Sequence, residues 1–221
     1  VSYPRTVTPE ILDSLEHDHP DALANRRDLR RLNRIMGNHA WFSRVLALPL
    51  LEGDRILELG AGDGTLGQHL RARGVVTGSQ TYTGLDTAPR PQSWPGDWPW
   101  LQADLTAFDQ WEDYDIILGN LIVHQFEDDQ LKALGARMRR SARLLAFNEP
   151  QRARRHQVSL AFTRLLGFNY VSLRDGAASI HAGFRFHELP EILGLSDTGW
   201  QAELSQTQLG AYRMLAIHTA S

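Results

Sequence analysis

Residues 55–67 read RILELGAGDGTLG. RILEL has the apolar content of a short buried strand, and the glycines that follow make a tight turn before a helical stretch at 64–72. A strand, a glycine turn and a helix in that order bring a ligand against backbone at a helix N-terminus. The glycines can be counted in two registers. Gly60, Gly62 and Gly64 give G-x-G-x-G after an acidic residue, Glu58. Gly62, Gly64 and Gly67 also satisfy G-x-G-x-x-G, the spacing of a dinucleotide-binding turn.

Downstream of this unit, strand-like runs alternate with helical ones. TYTGLD (81–86), WLQA (100–103), YDIILG (114–119) and RLLAFN (143–148) read as strands, and 127–140 as a helix. That alternation predicts a parallel sheet covered by helices. The end of the chain differs. WQAELSQT (200–207) and AYRMLAIHT (211–219) are joined by Gln208, Leu209 and Gly210, a link too short for a parallel crossover, so an antiparallel hairpin is expected. PRPQSWPGDWPW (89–100) reads as a loop.

Upstream, residues 1–50 read as helices. Thr8-Pro9-Glu10 looks like a helix start with Thr8 as N-cap, and Leu29, Leu32, Ile35 and Met36 form the apolar face of a helix over 21–36. Arg26, Arg30 and Arg34 share another face, with Arg27 and Arg31 beside them; a solvated face is the expectation.

The 221 residues bound the chain to one domain with an added segment. A net charge of −3 gives no general pull toward nucleic acid, and the absence of cysteine excludes disulfides and thiolate metal sites. No apolar run approaches the roughly 20 residues that cross a bilayer, and the N-terminus lacks a signal-peptide pattern. A soluble, cytoplasmic protein without a membrane span is expected.

Three further residues bear on the choice of ligand. Asp86, ending a strand 22 residues after Gly64, lies where a carboxylate reaches nucleoside ribose hydroxyls. Asp104 in LQADL follows the third strand, where it could accept a hydrogen bond from an adenine amino group. Asn120 and His124, in LGNLIVHQF, follow the fourth strand at the carboxyl edge of the sheet. Glu58 is awkward beside a pyrophosphate but suits a cationic ligand, which favours S-adenosylmethionine over a nicotinamide dinucleotide.

ELGAGDG, GLD, QADL and YDIILGNLIVHQF, in that order, resemble the motif set of class I S-adenosylmethionine-dependent methyltransferases. The likeness covers about residues 50–219 and leans toward the small-molecule branch that includes quinone-biosynthesis enzymes of the UbiE type. It implies an α/β, Rossmann-like, seven-stranded doubly wound sheet with a terminal antiparallel hairpin over 51–221, and an N-terminal helical lid over 1–50. S-adenosyl-L-methionine is the implied cofactor. Gly60, Gly62 and Gly64 would line its methionine and ribose portions, Asp86 with Thr87 the ribose, Asp104 with Leu105 the adenine, and Asn120 the sulfonium.

The expected acceptor is a small aromatic, polyketide-like or quinone-like molecule, methylated at oxygen. A phenol gains from a general base, and the candidates are His124, His181 and Glu149, the last either as base or as the group that orients one. Trp41, Phe42, Phe162, Phe168 and Phe184 could form an apolar wall, Trp41 as lid. Arg174-Asp175-Gly176 reads as a turn. Asn120 and Glu149 do not reproduce the paired acidic sites of metal-dependent relatives, so no catalytic metal is expected. The alternatives are C-methylation of a quinone-like ring, an RNA or protein methyltransferase, a nicotinamide-dependent oxidoreductase, and a non-catalytic S-adenosylmethionine-binding regulator.

Overall fold

The computed structural model describes residues 3–16, 18–163, 167–196 and 199–219. Its centre is a seven-stranded sheet: β1 (Arg55–Leu59), β2 (Thr81–Asp86), β3 (Trp100–Gln102), β4 (Ile116–Asn120), β5 (Leu144–Pro150), β6 (Trp200–Gln206) and β7 (Ala211–His218). The spatial order is β3-β2-β1-β4-β5-β7-β6. β1 to β5 are parallel, β7 runs antiparallel to β5, and β6 closes the expected hairpin. The order reverses between β1 and β4, which sets the ligand crevice of an open α/β sheet at their carboxyl ends.

Helices cover both faces: α1 (Pro20–Met36), α2 (Asn38–Leu46), α3 (Thr65–Ala72), α4 (Asp128–Ser141), α5 (Arg154–Thr163), α6 (Tyr170–Ala182) and α7 (Glu188–Ile192). Central strands are buried on both sides, so successive residues feed different cores. Leu57, Ile117, Leu145 and Phe147 pack on one face with Leu131, Leu134 and Met138 of α4. Ile56, Ile116, Leu118 and Leu144 pack on the other with Phe42 and Leu46 of α2 and Leu66 and Leu70 of α3. The 89–100 loop joins this second core through Trp94 and Trp98, which lie against Tyr82.

Three expectations are corrected. Thr8-Pro9-Glu10 starts no helix; the first helical turn is a 3-10 turn, Leu12–Ser14. The Asp175 carboxylate accepts from Ile11 N–H (2.8 Å) and Leu12 N–H (3.0 Å), so a distant acid satisfies donors that Thr8 was expected to cap. Arg174-Asp175-Gly176 is the middle of α6, not a turn. A Cβ at Gly176 would come within 3.0 Å of Leu160, so this glycine allows α5 and α6 to pack closely. Trp41 is core, not lid: it is buried, stacks edge-on with Phe42 at 4.7 Å and lies beneath the Arg213 guanidinium.

Among the described residues no helix is long and apolar enough to cross a membrane.

Candidate active site

A cavity of about 960 Å³ opens at the carboxyl ends of β1, β2 and β4, walled by α1 and α6. The glycine turn forms its inner edge. Gly62 and Gly64 have φ of +58° and +73°, a left-handed backbone that glycine adopts without strain. A Cβ at Gly64 would collide with Trp94, whereas one at Gly62 would meet only Gly60 O at 3.9 Å. Gly64 therefore keeps the turn on the core, and Gly62 leaves space beside the cavity. Gly62 N–H donates to Asp86 Oδ2 at 2.7 Å, and Ala88 N–H donates to Asp86 Oδ1 at 2.8 Å. Asp86 thus joins the turn after β1 to the turn after β2, beside Thr87, and lines the cavity.

Glu58 is buried in β1 and accepts from the Tyr82 hydroxyl at 2.8 Å. Burial raises its carboxyl to about 8 against the opposing Tyr82 hydrogen bond, so it holds a proton at neutral pH. Asp104 lines the outer end of the cavity with Leu105, and its Oδ1 also caps Thr106 through the backbone N–H and the hydroxyl, both at 2.7 Å.

The loop after β4 is held from below by Glu149. Its Oε1 accepts from Ile122 N–H and Val123 N–H, both at 3.1 Å, and its Oε2 accepts from His124 N–H at 3.3 Å and lies 2.6 Å from His124 Nδ1. Glu149 is fully buried and saturated with donors, which fits the orienting role and leaves no oxygen for a substrate proton. The loop carries strain: Leu121 has φ +60°, rare for a branched side chain. Its N–H is fixed to Asn148 O at 2.8 Å.

His124 lines the cavity, and its Nε2 lies 3.3 Å from Glu10 Oε1. Burial opposes its charge, but the hydrogen bonds and charges of Glu10 and Glu149 prevail and raise it to about 9. Both ring nitrogens are taken and the imidazole is already protonated, so its geometry does not suit the expected base. Glu10 was not singled out in the sequence. Burial favours its neutral form, yet His124, Ser179 (2.6 Å) and Gln125 (3.1 Å) hold it below the usual carboxylate value. The result is a fixed anion facing the cavity, carried by the segment before α1. Arg5 straps that segment down by donating to His124 O (2.8 Å), Phe126 O (2.6 Å) and Ala182 O (2.7 Å).

His181 lies outside the cavity: it is exposed on α6 with its ring 5.0 Å from Tyr3. Of the expected apolar wall, Phe168 lines the cavity, while Phe42 and Phe184 are core and the Phe162 side chain lies outside the described residues. The arginine face of α1 is not wholly solvated, since Arg26 and Arg30 line the cavity and Arg30 donates to Asp63 at 2.5 Å. Asn120 donates to Asn33 of α1 (3.1 Å) and accepts from Asn148 (2.9 Å).

No protein-family model and no curated protein sequence matches the chain. Solved structures do. The plantazolicin methyltransferase BpumL, bound to S-adenosylhomocysteine, superposes with a TM-score of 0.72 at 11% identity, over 95% of this chain and 93% of that one. The N-methyltransferase NodS from Bradyrhizobium japonicum WM9, also with S-adenosylhomocysteine, gives 0.54 at 17% identity over 84% and 87%. The magnesium protoporphyrin IX methyltransferase ChlM from Synechocystis PCC 6803 gives 0.52 at 14% over 86% and 84%. The fold is therefore that of the class I methyltransferases. These likenesses do not single out the UbiE type.

Proposed function

We propose that the protein is an S-adenosylmethionine-dependent methyltransferase acting on a small molecule. The observation that carries this reading is the Gly62–Asp86 junction, which opens onto a cavity roomy enough for a nucleoside and a second ligand. The residues present fit the cofactor. All of these residues line the cavity: in this reading Gly62 leaves space for the cofactor, Asp86 and Thr87 would hold its ribose, Leu105 and Asp104 its adenine, and Asn120 and Glu58 its methionine end. When bound, S-adenosylmethionine supplies an activated methyl group on a sulfonium.

The chain's own task is then to align an acceptor and exclude water, and alignment alone is worth roughly 7–11 kcal/mol. In this reading α1 and α6, which wall the cavity, and the segment that Arg5 ties down would supply that alignment. Residues 1–50 act as a lid only in part under this reading, because α2 belongs to the core.

An aromatic hydroxyl acceptor is a second reading, favoured by the apolar lining from Leu12, Leu29 and Phe168. It would need a base other than His124. Calorimetry with S-adenosylhomocysteine and with NAD tests the proposal. S-adenosylhomocysteine should bind and NAD should not; the reverse outcome refutes it.

A further inference from the structure

The side of the cavity away from the glycine turn is built from acceptors. Ser179 Oγ shares its one proton between Glu10 Oε1 at 2.6 Å and Asp175 O at 2.8 Å, which ties the segment before α1 to the middle of α6. The Asp175 carboxylate sits beneath Ile11 and Leu12, so Glu10, Asp13 and Asp175 converge on one wall. Glu10 and Glu149 flank one imidazolium, His124, at its two ring nitrogens. Among the described residues no arginine, lysine or histidine lies within ion-pair distance of Asp13 or Asp175. Of the α1 arginines, Arg26 and Arg30 line the cavity, Arg30 paired with Asp63, and Arg31 stands 3.6 Å from Asp28.

A second observation points the same way. Asn25 on α1 is 2% exposed and lines the same cavity, and its Oδ1 has no hydrogen-bond partner. A buried acceptor without a donor is costly, and a ligand that brings N–H groups removes the cost. Asp28 Oδ1, buried on the same wall, likewise accepts no hydrogen bond, although Arg31 stands 3.6 Å away. One further unmatched lining atom, His39 Nε2, belongs to the cofactor end beside His69. Burial and mutual repulsion raise Asp13 to about 6 and raise Asp175 as well, so this wall of crowded carboxylates and spare acceptors is matched by a group that only donates and carries positive charge.

Resting on the methyltransferase reading, we propose that the acceptor molecule carries a protonated amine on an apolar body, and that this ammonium, recognised by Glu10, Asp13 and Asp175, anchors the molecule and is not the atom that takes the methyl group. The body packs against Leu12, Leu15, Phe168 and Ile180. A phenolate or carboxylate would meet like charge here, so the wall also selects against the wrong acceptors.

The test uses three probes of one shape with the full chain at neutral pH: phenethylamine, 2-phenylethanol and hydrocinnamate, each titrated calorimetrically with and without S-adenosylhomocysteine. Phenethylamine should bind saturably, about tenfold or more tighter than the alcohol, the scale of one hydrogen bond to a charged group, and the acid weaker still. Asp13→Asn and Glu10→Gln should each shrink the amine-to-alcohol ratio while S-adenosylhomocysteine binds as before; a structural defect alone would weaken all probes together. Equal binding of the three, tighter binding of the acid, or no saturable binding of the amine overturns the proposal. If S-adenosylhomocysteine binds while the amine preference is missing, the substrate class is wrong and the methyltransferase reading stands. If the amine preference holds and S-adenosylhomocysteine fails to bind, it is the methyltransferase reading that falls.

Discussion

Asn33 and Asn120, 87 positions apart, meet at the edge of the cavity, where Asn120 Nδ2 donates to Asn33 Oδ1 at 3.1 Å. The pair belongs to a closed polar ring. Asn38 also donates to Asn33 Oδ1 (2.9 Å), Asn148 donates to Asn120 (2.9 Å), and Arg213 donates to Asn148 (3.2 Å), to Asn38 (3.4 Å) and to Met36 O (2.8 Å). The ring fastens α1 and α2 to β4, β5 and β7, and with them the wall of the cavity to the sheet. Inside the protein such a network rigidifies only while every member is satisfied.

Asn33→Ala removes the acceptor shared by Asn38 and Asn120 and leaves one buried donor, Asn38, and one half-buried donor, Asn120, unmatched. It should cost about 1–3 kcal/mol of stability per orphaned group. Urea unfolding measures the loss; an unchanged midpoint would mean that water or a rotamer shift replaces Asn33.

Asp86→Ala should loosen the turn after β1, because Gly62 N–H and Ala88 N–H both lose their acceptor. Under the proposed function it also removes the ribose contact. S-adenosylhomocysteine should bind about 1.5–3 kcal/mol more weakly. A dissociation constant equal to that of the parent protein would move the ribose contact to another residue.

Stability should fall as pH rises. Glu58, raised by burial from 4.5 to about 8, keeps its proton longer when folded, so its contribution is complete below pH 4.5 and lost as pH passes 8. His124 is raised from 6.5 to about 9, because Glu10 and Glu149 outweigh burial; its contribution is complete below pH 6.5 and lost as pH passes 9. Both make the folded state the better proton binder, so the slopes add, each at most about 1.4 kcal/mol per pH unit. Thermal unfolding between pH 5 and 9 should show this decline, and Glu58→Gln should flatten its lower part. A melting temperature that climbs over this range would contradict both assignments.

The sheet was legible because its signals are local. RILEL and TYTGLD match β1 and β2 residue for residue, and the three-residue link of the terminal hairpin left no room for a crossover. Asp86 and Gly62 could be placed together because strand, turn and helix follow one another in the chain. The acceptor wall could not. Glu10 reaches Ser179 across 169 positions, and Asp175 satisfies Ile11 across 164. No periodicity in residues 3–15 encodes a strap whose long-range hydrogen bonds end mainly on α6 and the loop after β4. The same limit explains Thr8: a cap reads from sequence when its own neighbours supply the donors, and here the donors turn to α6. Trp41 misled for the complementary reason, since a tryptophan after Gly37-Asn38 says nothing of the Arg213 guanidinium that covers it.

His124 decides how the acceptor end works. A general base must be neutral at working pH and within reach of the proton it takes. His124 fits neither condition, because Glu149 holds Nδ1 at 2.6 Å, Glu10 stands 3.3 Å from Nε2, and the ring is protonated up to about pH 9. Under the proposed function its part would be to hold Glu10 as an anion and to tie the β4 loop to Glu149. NMR of ring-labelled histidine should show one imidazolium that titrates near 9. His124→Ala leaves Glu10 and Glu149 facing each other without a cation and should cost about 3–5 kcal/mol of stability, the scale of a broken buried pair. Any methyl transfer the variant retains should not recover as pH rises. A His124 resonance titrating at 6.5 or below, with a rate that climbs through the same pH in the parent protein and not in the variant, would restore the base.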